Sequence, residues 1–509
     1  MPWTPPKRRT GLYLALNAAF IVTVFLFNGI GGGANPRIVY LILLFAVCST
    51  PVIDLDGLNG KFALPSLYLG FYFVSFGLID LINLTTGVSS EITPSIFCAT
   101  EAVILAASIM MTIGYRAAMA LSNRKPSHAP PARDWSMNTI LIVGVALWFI
   151  GTVGTYYLNV YIITDNSPEA SKRGLEMMGP YGTTAFMLAT MFQPIGILLI
   201  AYAWRLRPSP YLLALVVLTV IVQILLGFVI NVKSSAMIAG ILVIVTYVLV
   251  EGRLPIPWLV AAALYGIFVY PIFVAAREEI HGKGLIARAS ILGDLAHVVQ
   301  LSIAQEDRDK NFRQHSQSLF ERTSVRASVQ MIVEHTGVDV KFQDGSTLAP
   351  LLATFVPKII WSDKPAVATG RVVNKEFHVT EADFSDTYIS PSIPGELYWN
   401  FGWPGILIGM ALIGGALGYL GQRCNLAERK TVTNLIVVVV TIKQVIVGME
   451  GTVSPEYVVW LRSLGAVGIL HLMFAKVPIS GRSSISVEQP ALLAHAQLSP
   501  PRPFSNILN

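Results

Sequence analysis

Long apolar runs separated by short charged segments are the feature that most constrains how this chain can fold. A bilayer core of about 30 Å needs roughly 20 apolar residues of α-helix for each crossing. The runs therefore predict an all-α polytopic membrane protein with about twelve transmembrane helices. The predicted spans are 11–29, 38–53, 64–84, 97–114, 137–160, 182–204, 210–230, 234–250, 255–275, 402–420, 431–448 and 456–475.

The composition agrees with this prediction, because 53% of the 509 residues are hydrophobic and only 13% are charged. Mean hydropathy is +0.60. A soluble globular domain does not combine such values.

The division between spans seven and eight depends on a tight turn at Asn231–Ser235, and without that turn the orientation of everything downstream would reverse.

Lysine and arginine in the short loops predict the orientation, because cytoplasmic loops carry an excess of these residues. Under the twelve-span arrangement both termini are cytoplasmic, and the first span is an uncleaved anchor because no A-x-A-type cleavage site follows it. The positive loops account for the net charge of +6 without a nucleic-acid partner. The basic residues on this side are Lys7, Arg8, Arg9, Arg116, Arg124, Lys125, Arg133, Arg205, Arg207, Arg253, Arg423, Arg429 and Lys430.

One long polar segment separates spans nine and ten and is predicted to lie on the outer face. It divides the chain into residues 1–275 with nine spans, 276–396 as an extracytoplasmic catalytic loop, 397–476 with three spans, and 477–509 as a disordered cytoplasmic tail. Helices are predicted within the loop at 285–303 and 318–335. Five of the eight histidines lie in the loop, namely His281, His297, His315, His335 and His378.

The second predicted loop helix places two arginines on its apolar face. On a helical wheel, Arg322 and Arg326 share a stripe with Val325, Val329 and Ile332. An unpaired charge turned toward a packed surface is costly, so both guanidinium groups must meet anions. Ion pairs with acids of the loop and a bidentate clamp on a phosphate-bearing ligand are both compatible with this pattern.

Several motifs in the second half of the loop resemble those of Wzy-type oligosaccharide repeat-unit polymerases. They are Gly345-Ser346-Thr347-Leu348, the run from Val356 to Trp361, Lys364-Pro365, and the frame GE-x-Y-x-NFG-x-x-G with Gly395, Glu396, Tyr398, Asn400, Phe401, Gly402 and Gly405. The resemblance covers about residues 315–420, and it extends more loosely to Arg277 and to Lys233, where a relative would carry arginine.

The resemblance implies a fold related to the lipid-dependent glycosyltransferases, that is, glycosyltransferase-C-like. The implied substrates are undecaprenyl-diphosphate-linked oligosaccharides at the outer leaflet of the bacterial cytoplasmic membrane, joined without a nucleotide, metal or other cofactor. A flippase, a chain-length regulator and membrane lipids are the implied partners. Arg277, Arg322, Arg326 and Lys233 would bind the diphosphate leaving group as its charge develops.

The general base is less defined, because related ligases carry a His-Asn pair where this chain reads Phe384-Ser385-Asp386-Thr387. Glu396, Asp386 and His378 therefore share that role as candidates. The Asp-x-Asp motif Asp54–Asp56 lies in a predicted cytoplasmic loop, which disfavours a metal-dependent site of the oligosaccharyltransferase kind. Cys48, Cys98 and Cys424 are too scattered for a disulfide framework or a metal site and are predicted to be unpaired thiols.

Two other functions are compatible with the sequence. An O-antigen ligase would transfer finished glycan to a lipid A core, but the missing His-Asn pair argues against it. A lipid-linked sugar flippase or another transporter would carry ionisable residues and repeated broken helices in its spans. The spans hold few such residues, chiefly Asp80, Glu101 and Lys443, which are interpreted as polar groups satisfied by packing.

Glu396 stands just before span ten, among aromatic residues typical of a membrane interface. It is interpreted either as a structural partner for an outer-loop arginine or for backbone N–H groups at a helix start, or as the base for the acceptor hydroxyl. Pro404 suits the first turn of the span. Two pairs of glycines, Gly405 with Gly409 and Gly414 with Gly418, would let the span pack closely on a neighbour.

Overall fold

The computed structural model shows a mostly helical chain with apolar helices long enough to cross a membrane. The residues it describes are 6–28, 36–54, 58–78, 80–81, 94–122, 133–162, 191–230, 233–258, 260, 325–353, 356, 361, 369–378, 389–475 and 477–478. Within these ranges eight helices have the length and composition of a membrane span. The protein is therefore an α-helical membrane protein that crosses the bilayer several times.

The helices are numbered here in chain order. They are α1 Pro6–Asn28, α2 Pro36–Cys48, α3 Pro51–Asp54, α4 Ala63–Phe73, α5 Pro94–Ser122, α6 Met137–Ile162, α7 Met191–Leu206, α8 Pro210–Ile230, α9 Lys233–Glu251, α10 Arg326–His335, α11 Ala349–Ala353, α12 Thr369–Glu376, α13 Ser392–Pro404, α14 Met410–Arg423, α15 Val432–Thr441 and α16 Val453–Phe474. Wider π-helical turns extend α4 over Val74–Leu78, join α13 to α14 over Gly405–Gly409 and extend α15 over Ile442–Ile446. Tighter 3₁₀ turns cover Ser346–Leu348 and Val447–Glu450.

Eight of the predicted spans match candidate membrane helices among the described residues. These are spans one, two, four, five, seven, ten, eleven and twelve. Spans three, six and eight correspond to shorter apolar helices, Ala63–Leu78, Met191–Leu206 and Ile238–Glu251. Nearly all of span nine, most of the outer loop with its first predicted helix, and nearly all of the tail lie outside the described residues. The total of twelve therefore stays a prediction.

Contacts between the ends of different helices fall into two groups, one at each end of the bundle. The twelve-span arrangement places the members of each group on the same side. In one group Arg116 forms a salt bridge with Asp54 at 2.6 Å, and the Lys430 ammonium donates to the Val250 carbonyl at 2.9 Å. In the other group Arg326 meets Asp80 and Ser75 meets Glu450. We call these the Arg116 end and the Arg326 end of the bundle. Helices α8 and α9 are separate elements, which agrees with the predicted break between spans seven and eight. The C-terminal ends of α7 and α9 meet at the Arg116 end, because Arg205 of α7 pairs with Glu251 of α9.

The Arg116 end also contains a short strand pair that the sequence analysis did not predict. Strand β1, Arg133–Asp134, pairs antiparallel with β2, Val477–Pro478, although β2 lies at the start of the tail that is predicted to be disordered. The Asp134 carboxylate explains the fixed position, because it accepts the N–H of Trp135 and that of Val432. Burial raises the pKa of Asp134 above its usual value.

Glycines allow a close helix contact between α14 and α5. A methyl group at Gly414 would lie 2.0 Å from the Met111 carbonyl oxygen, and one at Gly418 would lie 2.7 Å from the Tyr115 carbonyl oxygen. Gly114 on α5 approaches the backbone of α14 in the same way. Backbones can come this near only where no side chain intervenes, so the prediction for Gly414 and Gly418 is confirmed.

At Gly405 and Gly409 the absent side chains make room for the first half of α13, and not for a neighbouring span as predicted. A methyl group at Gly405 would lie 2.1 Å from the Leu397 carbonyl oxygen, and one at Gly409 would touch the Leu397 side chain. Both contacts are made with α13, the preceding helix. The chain bends at Gly402 inside α13, and these two glycines let the segment after the bend pack closely against the first half of α13.

Residues 325–353 and 369–378 belong to the loop predicted to be outer and are called the outer segment here. They pack as a cap on α13 and share its core. Helix α10 buries Val329 and Ile332, and the observed burial of Arg326 confirms that this arginine lies on the apolar face. A small cluster joins Ile332, Val340 and Val373 to Trp399 of α13. Trp399 is fully buried there and does not belong to an exposed aromatic belt, although Phe401 and Trp403 remain exposed.

Adjacent glycines on α14 offer a matched test of the helix contact. Gly414→Ala should lower the melting temperature of the detergent-solubilised protein, because overpacking typically costs about 1–3 kcal/mol and the obstacle here is backbone. Gly415→Ala should leave it unchanged or raise it slightly, since the nearest atom would be 3.8 Å away and alanine favours helix by about 1 kcal/mol. Equal effects of the two substitutions would contradict the described packing.

Candidate functional site

The candidate site is built around a break in α13, the helix that contains Glu396 of the GE-x-Y-x-NFG-x-x-G frame. Helix α13 begins at Ser392, earlier than the predicted start at 402, and Gly402 interrupts it with φ 61° and ψ −140°. Few residues other than glycine adopt such angles. Pro404 then opens the second half, as expected for a first turn. The apolar run predicted only that second half, because Glu396 and Asn400 make the first half polar.

Glu396 is fully buried and uses both carboxylate oxygens as hydrogen-bond acceptors. One oxygen accepts the Thr347 hydroxyl at 2.7 Å, and the other accepts the Val453 backbone N–H at 2.6 Å. The Asn400 amide donates to the Thr347 hydroxyl oxygen at 2.7 Å and to the Glu396 carbonyl at 2.7 Å. We call Glu396, Thr347, Asn400 and the Val453 N–H the Glu396 network.

The network agrees with the structural interpretation of Glu396. A carboxylate at the N-terminus of a helix is stabilised by the unpaired N–H groups and the helix dipole there, and Val453 is the first residue of α16. The helix concerned is α16 and not α13, which contains Glu396. Both carboxylate oxygens are occupied inside the protein, one of them by Thr347 of the predicted outer loop, so Glu396 links that loop to the start of α16.

A tight turn of the outer segment fills the helix break. The N–H groups of Gln343 and Asp344 donate to the carbonyls of Trp399 and Asn400 at 3.1 and 3.2 Å, and those carbonyls precede the break. The turn itself needs positive φ, with 49° at Asp344 and 85° at Gly345. At Gly345 the absent side chain makes room for the Phe401 ring. The motif around Thr347 and the frame around Glu396 are thus one unit.

The turn between α15 and α16 is held from several sides. The Ser75 hydroxyl donates to the Glu450 carboxylate at 2.8 Å, and the Ser390 hydroxyl donates to the Glu450 carbonyl. The Ser454 hydroxyl donates to the Thr347 carbonyl. Helices α4, α13 and α16 and the outer turn therefore meet at one point of the Arg326 end.

A second buried polar cluster lies at the same end, where the Arg326 guanidinium meets Asp80 at 2.7 Å. Both side chains are nearly inaccessible, with exposures of 8% and 5%. Glu101 and Arg37 act on the same pair electrostatically. Asp80 belongs to predicted span three and not to the outer loop, so the predicted ion pair of Arg326 forms with an acid from a different segment.

The remaining predicted site residues are only partly placed. His378 is exposed just after α12, with an unusual φ of 49°, and its neighbour Phe377 packs on Trp399 with ring centroids 5.3 Å apart. Tyr398 is half-buried and meets Trp403 edge to face, and Lys233 is the first residue of α9. Arg277, Arg322, Lys364, Pro365 and Asp386 lie outside the described residues.

One solvent-exposed contact lowers the pKa of a carboxyl group in the outer segment. His335 bonds Asp339 at 2.8 Å on the turn after α10 and holds the pKa of that carboxyl below its usual value. The pair is solvent-exposed and lies on the cap, so it fixes the turn locally.

Sequence reasoning missed two features. An arginine on an apolar helix face and a lone acid in an apolar span, here Arg326 and Asp80, are each costly alone and could have been paired on that ground. A second Asp-x-Asp motif, Asp307-Arg308-Asp309, occurs in the outer loop outside the described residues. Among the described residues no group of three or more His, Cys, Asp or Glu could hold a metal ion, and Cys48 and Cys424 are free thiols.

Comparison of the chain with protein-family models, with curated proteins and with solved structures finds no match.

Adjacent hydroxyls of the outer turn offer a matched test of the Glu396 network. Thr347→Val removes the buried donor to Glu396 and should lower the free energy of unfolding by about 1–3 kcal/mol, the usual cost of leaving a buried group unsatisfied. Ser346→Ala removes only the exposed bond to Gln343 and should change it by less than about 0.5 kcal/mol. Denaturant titration in micelles measures both values, and a Thr347→Val variant as stable as wild type would contradict the network.

Proposed function

We propose that the protein polymerises undecaprenyl-diphosphate-linked oligosaccharide repeat units into a polysaccharide at the outer face of a bacterial cytoplasmic membrane. The Arg326 end of the bundle is then the extracytoplasmic one, and both termini are cytoplasmic. The observation that carries the proposal is the bond between Thr347 and Glu396, which are 49 residues apart. It joins the two motifs that resemble those of Wzy-type polymerases into a single buried frame.

The chemistry asked of this frame is a displacement at an anomeric carbon. The bond from that carbon to the diphosphate breaks with its electron pair on the leaving oxygen, a hydroxyl of the next unit forms the new glycosidic bond, and a base takes the hydroxyl proton. Cationic side chains stabilise the departing charge. Arg326 would do so together with Arg277, Arg322 and Lys233.

Roles for the candidate bases follow from exposure and bonding. Glu396 has both oxygens occupied, so its proposed role is to hold the outer turn and the start of α16 in register. His378 is exposed and carries a strained backbone, which functional sites often retain. We assign the proton transfer to His378 or Asp386 and the positioning to Glu396.

Gene deletion is the direct test of the polymerase. Surface glycan extracted from the deletion strain and separated on a gel should show cores that carry single repeat units, because capping with one unit needs no polymerisation. The wild-type gene on a plasmid should restore the ladder of longer chains. Cores without any glycan would identify a ligase instead, and an unchanged ladder would exclude both activities.

A charge-neutral double substitution separates structural from functional use of Arg326. Arg326→Gln alone should lower the amount of inserted protein, because it leaves the Asp80 carboxylate buried, and breaking a buried pair costs about 3–5 kcal/mol. Adding Asp80→Asn removes that charge and should restore the protein level without restoring polymer. Recovery of polymer in the double variant would show that the arginine serves the fold alone.

A further inference from the structure

Helix α16 turns one face outward along its second half. Only 22% of its span is buried, compared with 56% of the span that contains α15. On a 100° helical wheel Gly465, Ile469, Leu472 and Met473 fall within about 80° of Arg462. All five residues are exposed, and we call them the Arg462 face.

Arg462 is the unusual member of this face, because it carries a charge at the level of the hydrocarbon. Helix α16 begins at Val453 and ends at Phe474. Arg462 lies about 14 Å of helix from the first of these residues and about 18 Å from the second, which is near the middle of the span. A charged side chain at that depth is costly, and it normally pairs with another group or faces the interior of the bundle.

Arg462 does neither in the part of the chain that the structure describes. It is exposed, and it makes no hydrogen bond, salt bridge or aromatic contact there. Lys443 provides the contrast within the neighbouring span. It lines a small cavity between helices, and Glu456 acts on it electrostatically.

The acids of the predicted spans do not supply a partner for this arginine. They are Asp80, Glu101 and Glu456. The first two belong to the buried cluster around Arg326, and the third acts on Lys443. Spans six and nine, each partly outside the described residues, contain no acid. Neither an undescribed span nor a second copy of this chain therefore brings a carboxylate to the level of Arg462.

Glycines beside Arg462 leave room for a second helix. A methyl group at Gly465, or at Gly468 one residue turn further on, would meet no atom within 4 Å. The glycines of α14 differ, because there the backbone of α5 already occupies the space. Small residues on the outward face of a membrane helix let another backbone approach closely.

Charge and shape together define what would fit this surface. We infer that the Arg462 face docks a membrane-spanning helix of another protein, one that carries Asp or Glu near the middle of its span. Each charge is costly alone in lipid, and pairing them between two helices removes both costs. Ile469, Leu472 and Met473 would pack along the remainder of the partner helix.

The inference does not depend on the proposed polymerase activity. The Arg462 face is separate from the Glu396 network and from Arg326, and association of two helices can be measured without any glycan. A polymerase that fails the docking test, or a docking protein that makes no polymer, would therefore be recognised as such.

Association of the full-length protein with a designed helix tests the docking. The probe is a fluorescent single-span peptide of leucine and alanine with one glutamate at its centre, and the matched peptide has leucine there. In phosphatidylcholine vesicles, energy transfer from the labelled protein should show the glutamate peptide bound roughly tenfold tighter than the leucine peptide. Equal affinities of the two peptides for wild type would overturn the charge pairing.

Two substitutions and a control locate the interaction. Arg462→Leu should reduce the preference to near unity while the protein inserts as well as wild type, because the change removes an unpaired charge from the lipid face. Gly465→Ile keeps the charge but covers the flank, and it should weaken the glutamate peptide by a similar factor. Arg423→Leu, at the Arg116 end, is the matched control and should retain the wild-type preference. Wild-type binding by Gly465→Ile would overturn the location of the docking surface.

The same assay identifies the other possible occupants of this face. Loss of the preference when phosphatidylglycerol is added to the vesicles would assign Arg462 to lipid head groups. Energy transfer between two labelled copies of the protein that Arg462→Leu abolishes would assign the face to a second copy. Either result would overturn the separate partner.

Discussion

The buried carboxylate of Glu396 is the constraint on which the arrangement of the Arg326 end depends. Placing an ionised group out of water is costly unless hydrogen bonds replace the lost solvation. Here the replacements come from Thr347 in the outer segment and from the Val453 N–H at the start of α16. Helix α13 can therefore keep its glutamate only when two distant segments are already in place beside it.

The helix break at Gly402 also requires the outer segment to pack beside α13. Ending the regular hydrogen-bond pattern leaves carbonyl groups without their helical donors, and each such group is costly where water is excluded. The turn at Gln343 and Asp344 supplies the missing N–H groups. The outer segment and the membrane helix thus satisfy each other, so the boundary drawn at residue 396 from hydropathy is not a boundary of packing.

How much the sequence could predict follows from the range of each interaction. Apolar length is a local property, and it located eight membrane helices directly. The amphipathic pattern around Arg326 is also local, and its predicted face is the buried one. The partner of that arginine, Asp80, is 246 residues away, and hydropathy alone does not connect the two. The start of α13 was missed for the same reason, because its polar residues are satisfied only by distant contacts.

The same contacts limit which side chain could accept the proton of a substrate hydroxyl. Glu396 is fully buried, so a substrate hydroxyl could reach it only if the packing around it opened. That opening would disturb the hydrogen bonds from Thr347 and from the first N–H of α16. An exposed side chain such as His378 can exchange a proton without that loss. The order that Glu396 imposes on the frame is therefore best preserved when the proton moves elsewhere.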